Sequence, residues 1–174
     1  MDAIKADAGD LEGIAGLLGY YSCRGVMTPR TREYLEERLR EFYVCKRDGR
    51  VVGCCALHKV SSELAEVRCF AVKEEFMGEG FGRMLLDACL REAKDAGYRR
   101  VFTLTLEGEF FRKNKFTRMS KLKIPLQTFQ GQPELNPIKL AGWMTLFLKM
   151  LVADSAHELN MESRTFTSPP RHLL

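Results

Sequence analysis

The spacing of apolar residues changes after Glu41, and the predicted elements change with it. Within Asp7–Tyr20 and Thr31–Glu41, apolar residues recur every three or four positions, a spacing that predicts two helices. Two short apolar runs follow, Phe42–Cys45 and Val51–Leu57, with Asp48-Gly49 between them. Because Asp-Gly between apolar runs favours a tight reversal of the chain, these runs are predicted to form an antiparallel hairpin.

A third strand is predicted over Ala65–Val72, where Glu66 and Arg68 alternate with small or apolar residues. Successive side chains of a regular strand point to opposite faces of the sheet. The side chains of Glu66, Arg68 and Phe70 are therefore expected on one face.

The next segment predicts a crossover from one strand to a parallel neighbour. Gly78, Gly80 and Gly82 separate the third strand from a helical pattern over Arg83–Ala96, and a buried strand is predicted over Val101–Leu106. A parallel connection beside an antiparallel hairpin gives a mixed, mostly antiparallel central sheet flanked by helices. The predicted fold class is therefore α+β.

Composition and charge narrow the class of protein. With 174 residues, 45% of them hydrophobic and 29% charged, the chain is long enough for one globular domain. The 27 basic and 23 acidic residues are spread without a dense basic block, which argues against nucleic-acid binding. Residues Met1–Asp7 are charged and precede no apolar run, so no secretory signal is predicted and the expected location is the cytoplasm.

The six cysteines show no Cys-x-x-Cys pair and no histidine at the spacing of zinc ligands. They are interpreted as structural thiols in a reducing compartment, and no metal is expected. Metal or redox chemistry is the less favoured alternative.

The glycines carry the first chemical signal. Between a strand and a helix, glycines let backbone N–H groups approach an anion while the helix N-terminus adds partial positive charge, which suits a pyrophosphate. Arg83 stands where the dinucleotide fingerprint needs a glycine, and the Lys-Ser or Lys-Thr of a P-loop does not follow Gly78–Gly82. Taken alone, the cluster is equally compatible with a purely structural connection.

Three segments together resemble one enzyme family. Ala65–Val72, Gly78–Gly82 and Phe110–Phe116 resemble the corresponding parts of the GNAT acetyltransferases, which use acyl-coenzyme A to acetylate amines. Within that family the chain is most similar to the short, stand-alone N-acetylglutamate synthases of bacterial arginine synthesis, over roughly residues 3 to 129. Those enzymes share segments like Pro29–Thr31, Gly53–His58, Ala65–Arg68 and Arg100–Thr105.

The resemblance implies a GNAT fold, in which the sheet is splayed between the third strand and the crossover strand and acetyl-CoA lies in the gap. The pantetheine arm would pair with the backbone of residues 70–72, and the pyrophosphate would bind the amides of residues 78–83. The cofactor residues it implies are Phe70, Ala71, Val72, Met77, Gly78, Glu79, Gly80, Phe81, Gly82 and Arg83.

The reaction needs a base, because an amine must lose a proton before it attacks the acetyl thioester. The resemblance points to Glu66, since histone-type members of the superfamily carry a glutamate base at this strand position. Arg68, two residues later, is a natural partner for a substrate carboxylate. A plain ion pair between Glu66 and Arg68 within the sheet is the alternative.

A second carboxylate, as in glutamate, would need another cation. Arg30 and Lys113 are the candidates, and solvated surface charge is the alternative for both. His58 ends a predicted strand and is interpreted as a structural histidine.

Several positions depart from the GNAT pattern. Phe111 replaces a tyrosine that protonates the leaving thiolate in many members, and Lys115 replaces a glycine. Met77 stands where Arg or Gln is usual, and Glu79 adds negative charge beside the expected pyrophosphate. The loss of the tyrosine is tolerable, because a thiol with a pKa of about 8.5 can leave as a thiolate.

The resemblance also sets the domain organisation. Residues 1–130 are predicted to form the GNAT domain, and residues 131–174 a divergent C-terminal extension. Ile138–Val152 is apolar nearly all round and predicts a buried or partner-facing helix, too short at 15 residues to span a bilayer. Residues 163–170 have the composition of a loose tail.

The expected function is transfer of an acetyl group from acetyl-CoA to the α-amino group of an amino acid, with L-glutamate most favoured and a role in arginine biosynthesis. A GNAT enzyme acting on a protein N-terminus or another amine is one alternative, and a catalytically weak acetyl-CoA-binding module is another. The expected partner is a small-molecule amine or amino acid. A homodimer is compatible with the sequence, and neither nucleic acid nor a membrane span is expected.

Overall fold

The computed structural model describes residues 2–106, 108–119 and 145–151, and within them seven strands form one sheet flanked by four helices. The strands are β1 Ile4–Lys5, β2 Phe42–Arg47, β3 Arg50–Lys59, β4 Leu64–Val72, β5 Arg100–Thr105, β6 Thr117–Met119 and β7 Thr145–Met150. The helices are α1 Leu11–Cys23, α2 Arg32–Glu37, α3 Phe81–Asp95 and α4 Gly108–Lys113. The strand order is β1-β2-β3-β4-β5-β7-β6.

The turn between β2 and β3 explains why this hairpin is predictable. Asp48 and Gly49 both have positive φ angles, 51° and 73°, as the two central residues of a type I′ turn require. The strands pair antiparallel from Arg47 opposite Arg50 to Phe42 opposite Ala56. The predicted hairpin is confirmed.

Helices α1 and α2 cover one face of the sheet, and a side-chain cap lies at the start of α2 and of the 3-10 turn that leads into α1. Asp7 accepts a hydrogen bond from the N–H of Gly9 in the short turn that leads into α1. Thr31 accepts one from the N–H of Tyr34 at the start of α2. Both predicted helices are confirmed, although α2 ends at Glu37 and a separate 3-10 turn follows at residues 39–41.

Helix α3 covers the opposite face and connects two parallel strands. Its buried side includes Leu85 and Leu86, which are fully enclosed and contribute about 2 kcal/mol each. It joins β4 to β5, whose paired residues run in the same direction. The predicted crossover is confirmed.

The sheet opens between β4 and β5. The two strands pair from Leu64 opposite Arg100 to Glu66 opposite Phe102, whereas β4 itself continues to Val72. On its other side β5 pairs with β7 along its whole length. The structure therefore confirms a mixed, mostly antiparallel sheet that is splayed beside β4 and flanked by helices.

Strand β7 corrects one prediction. The sequence predicts a helix over Ile138–Val152, whereas residues 145–150 form a strand that pairs antiparallel with both β5 and β6. The prediction is wrong for these residues, because an apolar run suits a strand between two neighbours as well as it suits a buried helix. Residues 138–144, residue 152 and the tail at residues 163–170 lie outside the described residues.

Candidate active site

A bulge in β4 sets the direction of the side chains around the site. Cys69 has a φ of 51°, in the left-handed region, and the pairing of β3 with β4 shifts between Cys54 and Ala56. Two residues of β4 therefore lie opposite Cys55 alone. Side chains before and after the bulge alternate out of phase with each other.

The bulge corrects the expected position of Phe70. The sequence predicts Phe70 on the same face as Glu66 and Arg68, but its ring packs against Phe110 in the core beneath α3. Arg68 lies on the other face, with its guanidinium over the ring of Tyr34 of α2. The prediction is wrong because the extra residue at the bulge reverses the alternation of the strand.

A charged network lies beside the bulge on the α1/α2 side of the sheet. Glu66 and Arg68 are almost completely buried, with 3% and 6% of their surface exposed. Nη2 of Arg68 donates to Oε2 of Glu41 at 3.0 Å, and the same oxygen lies 3.0 Å from Nδ1 of His58. His58 stands opposite Glu66 in the register of β3 and β4. Glu41 therefore ties both strands of the site together.

The surroundings move the pKa values of the two carboxyl groups in opposite directions. Burial raises the pKa of Glu66, against the opposing charges of Arg68, His58 and Arg30. Burial acts in the same direction on Glu41, but the hydrogen bonds and charges of His58 and Arg68 outweigh it and lower the pKa of that carboxyl. Glu66 is therefore the better proton acceptor, and Glu41 is the more permanently charged group.

Three guanidinium groups surround the ring of Tyr34. Those of Arg30, Arg38 and Arg68 lie 4.7, 4.6 and 5.5 Å from its centre. The hydroxyl of Tyr34 is buried and has no hydrogen-bond partner among the described residues. The positive charge of Arg30 also favours the ionised form of Glu66 and so opposes the rise in its pKa. The structure therefore brings Arg30, Arg68 and Glu66 together.

Lys113 is placed apart from this network. Its side chain is 75% exposed on α4, with Nζ 3.0 Å from Oε1 of Glu109. Helix α4 packs through Phe110 and Phe111 on the α3 side of the sheet, opposite the face that carries Glu66. The structure therefore does not bring Lys113 together with Glu66.

The glycine-rich loop starts α3 in a conformation that favours glycine. Gly78 and Gly80 have φ angles of 86° and 91°, where other residues are strained. The carbonyl of Gly80 accepts the N–H of Met84, so the three N–H groups between them have no partner within the helix. A Cβ on Gly82 would lie 3.3 Å from the ring of Phe110. The loop thus combines free amides with a close approach of α4.

Backbone groups of β4 face the opening in the sheet. The N–H of Lys73 donates to the carbonyl of Val52 at 2.8 Å, which directs the polar groups of Lys73 toward β3. Strand residues alternate the edge to which they hydrogen-bond, so those of Phe70 and Val72 point into the gap. The hydroxyl of Tyr21 already donates to the Val72 carbonyl. This edge offers backbone partners to an extended ligand.

The side chains of the loop make contacts that the sequence did not indicate. Met77 is 58% exposed. Nη1 of Arg83 donates to Oδ1 of Asn114 at 2.9 Å, so its guanidinium is engaged by a residue just after α4. Glu79 pairs with Arg47 at the end of β2, at 2.6 Å. The negative charge of Glu79 is therefore compensated from another element.

The structure shows the physical setting of two residues that depart from the GNAT pattern, Phe111 and Lys115. Phe111 is buried, and its ring packs edge-on against Phe116 at 5.3 Å, so it is a core residue with no proton to donate. Lys115 has a φ of 65°, which explains why glycine is usual at this position.

Sequence reasoning missed Glu41 and Tyr34 and assigned His58 a structural role. The register of the hairpin, Phe42 opposite Ala56, is a signal that could have placed Glu41 near His58. No comparable sequence signal exists for Tyr34. Its ring lies among the arginines because α2 packs beside the bulge, and neither the bulge nor this packing can be read from the local sequence.

Within the described parts of the chain, no three His, Cys, Asp or Glu side chains are grouped so as to hold a metal ion. None of the helices described there has the length and apolar character needed to cross a membrane.

Known proteins resemble the chain in both sequence and structure. An amino-acid acetyltransferase of Mycobacterium tuberculosis is 32% identical over 145 residues, which cover 82% of this chain and 83% of that protein. The crystal structure of Rv2747 from Mycobacterium tuberculosis in complex with CoA superposes with a TM-score of 0.79 at 28% identity, and the match covers 87% of this chain and all of that one.

A larger protein shows the same likeness over part of its length. N-acetylglutamate synthase from Neisseria gonorrhoeae, complexed with coenzyme A and N-acetyl-glutamate, superposes with a TM-score of 0.76 at 27% identity. That match covers 87% of this chain and 35% of the synthase. The sequence model of the acetyltransferase (GNAT) family matches residues 18–116. The chain belongs to the GNAT family of acetyltransferases.

Proposed function

We propose that this protein transfers the acetyl group of acetyl-CoA to the α-amino group of an amino acid, with L-glutamate as its preferred acceptor. The observation that carries the proposal is the buried Glu66 beside Arg68 and Arg30, next to the opening in the sheet. Relatives named amino-acid acetyltransferase support the class of acceptor. A structural neighbour named N-acetylglutamate synthase supports glutamate.

Acetyl-CoA fits the open side of the site. Within residues 78–83, the amides of residues 81–83 suit its pyrophosphate best, because they begin a 15-residue helix and have no partner within it. The open edge of β4 at residues 70–72 suits the amide-bearing pantetheine arm, which can pair like a strand. Structural neighbours that contain coenzyme A support this donor.

Glu66 is the general base in this proposal. Its carboxylate accepts a proton from the α-ammonium group of the acceptor, directly or through one water, and the nitrogen then attacks the acetyl carbon. The N–C bond forms as the C–S bond breaks, and the second proton of the nitrogen neutralises the departing thiolate. Phe111 has no proton to donate and takes no part in the reaction. A thiol with a pKa of about 8.5 is a good enough leaving group without a proton donor at this position.

The arginines around Tyr34 suit an acceptor with two carboxylates. A guanidinium binds a carboxylate with two parallel hydrogen bonds. The α-carboxylate is assigned to Arg68, which lies beside Glu66, and the side-chain carboxylate to Arg30. Lys113 has no part in this assignment, because it lies on the opposite side of the sheet.

A thiol-release assay with acetyl-CoA tests the proposal. Glutamate is expected to give the highest kcat/KM, and glutamine a value about 10- to 100-fold lower, because its amide cannot pair with a second guanidinium. Arg30→Met should reduce this preference, whereas Arg24→Met, which breaks an exposed pair with Glu74, should leave it unchanged. Faster release with a peptide N-terminus would instead indicate a protein acetyltransferase. Coenzyme A binding without release would indicate a binding module.

A further inference from the structure

An ion pair joins the β2–β3 hairpin to the glycine-rich loop. Nη2 of Arg47, the last residue of β2, lies 2.6 Å from Oε2 of Glu79. The guanidinium of Arg47 also lies over the rings of Phe76 and Phe81, 5.2 and 5.3 Å from their centres. The Arg47 side chain therefore contacts Phe76 before the loop, Phe81 after it and the carboxylate of Glu79 within it.

The aromatic contacts hold Arg47 in place. Phe76 and Phe81 meet edge to face, with ring centres 6.0 Å apart, and form a platform for the guanidinium. Nε of Arg47 is buried and has no hydrogen-bond partner among the described residues. The position of the charge thus depends on the two rings and on Glu79.

Glu79 would by itself oppose an anionic ligand in this loop. The Glu79 carboxylate belongs to the segment whose amides are proposed to bind the pyrophosphate. Two negative charges so close together repel each other where water screens them only partly. Met77 supplies no charge, and the guanidinium of Arg83 is engaged by Asp87 and Asn114. Arg47 is therefore the cation in direct contact with Glu79.

We propose that Arg47 is a positioning residue of the acetyl-CoA site, which neutralises Glu79 and so lets the glycine-rich loop accept the diphosphate of the cofactor. The inference rests on the proposed use of this loop for acetyl-CoA. It assigns the cofactor affinity partly to a hairpin residue that precedes Glu79 by 32 positions. Arg47 acts through Glu79 and the two rings and has no role in the transfer step itself.

A double-mutant cycle on coenzyme A binding tests this inference by calorimetry at low salt. Arg47→Met keeps an unbranched apolar stem over the rings and removes the charge, and it is expected to weaken coenzyme A binding about 10-fold. Glu79→Gln should bind coenzyme A equally well or several-fold more tightly. The double variant should return to within about 2-fold of the parent, because it has no charge left to neutralise. The loss in Arg47→Met should shrink as salt rises.

A matched control is Lys5→Met. Lys5 pairs with Glu92 at 2.8 Å and lies over the ring of Tyr43, and its ion pair is exposed to a similar degree. Glu92 lies about 18 Å along α3 from the loop at 1.5 Å per residue, so this variant should bind coenzyme A normally.

Parent-like binding by Arg47→Met would overturn the inference, as would a loss that Glu79→Gln does not restore. Glu79→Gln with weaker binding than the parent would overturn it as well, and this variant does not depend on whether Arg47→Met folds. A parent protein unable to bind coenzyme A would overturn the proposed function together with this inference. Glutamate acetylation by the parent with normal binding in Arg47→Met would overturn this inference alone.

Discussion

Replacing Glu66 by Gln removes the proposed base and keeps the size of the side chain. The carboxylate is buried on the face that also carries Arg68 and Arg30, so bulk water does not easily take over its role. General-base catalysis is worth 100-fold or more, so kcat should fall by about that factor, which corresponds to about 2.7 kcal/mol of barrier height. Coenzyme A affinity should change little, because the loop at the start of α3 is untouched.

The pH dependence gives the same prediction a second readout. Burial raises the pKa of Glu66, so the carboxylate is available above that raised value and lost as the pH falls through it. The acid limb of kcat/KM, which reports groups of the free enzyme, should therefore lie above the ordinary glutamate value of about 4.3 and should disappear in Glu66→Gln.

Stability should change in the opposite direction from activity. Since the pKa of Glu66 is raised by folding, the folded state binds more protons than the unfolded state between about pH 4.3 and the raised value, and the stability of the parent falls as the pH rises through that window. Glu66→Gln should thus melt at the same or a higher temperature at neutral pH, and the difference should vanish in acid.

The assay compares Glu66→Gln with Glu63→Gln, an identical chemical change on a half-exposed residue just before β4. Glu63→Gln should keep the parent rate, acid limb and melting temperature. An unchanged kcat and acid limb in Glu66→Gln would remove Glu66 from the mechanism.

Three further substitutions follow from the geometry. Arg68→Lys should raise KM for glutamate about 10-fold, because an ammonium group cannot hold Glu41 and also reproduce the planar fork that a carboxylate needs; steady-state kinetics with the parent KM would place that carboxylate elsewhere. Met77→Arg should tighten coenzyme A binding by about 1 kcal/mol at low salt and by less at high salt, and equal affinities in calorimetry at every ionic strength would mean that side chain 77 does not face the pyrophosphate. Lys115→Gly should raise the free energy of unfolding in urea by about 0.5–1 kcal/mol, since φ is 65° there; a lower free energy would mean that the lysine side chain contributes more than its backbone conformation costs.

The parts of the fold that could be predicted are those with a local signal. Asp48-Gly49 adopts two positive φ angles that few other pairs accept, so the reversal is encoded in two residues. Glycines before α3 and a periodic apolar side along it identify the crossover in the same way. The splayed sheet was predicted from the resemblance to the GNAT acetyltransferases, because no local spacing of residues encodes it.

The parts that could not be predicted depend on distant contacts. No residue pattern in Ala65–Val72 predicts the bulge at Cys69, so Phe70 was predicted on the wrong face of the sheet. The helix predicted around residues 145–150 failed because β5 and β6 provide strand partners that periodicity cannot reveal. Arg47 joins the site region by pairing with Glu79, 32 positions away, and no spacing rule covers such a distance. Glu41 could have been placed near His58 only from the register of the hairpin, which its own local sequence does not contain.

The place of β7 between β5 and β6 has a consequence for how the chain is made. The outer edge of β5 ends at Thr105, and its partner strand begins at Thr145, about 40 residues later. At a synthesis rate of about 5–20 residues per second, a nascent chain keeps that edge unpaired for roughly 2–8 s. An unpaired edge is a template for strands of other chains. Ribosomes that stall between these two strands should therefore release products that aggregate, whereas a stall a few residues after β7 should not.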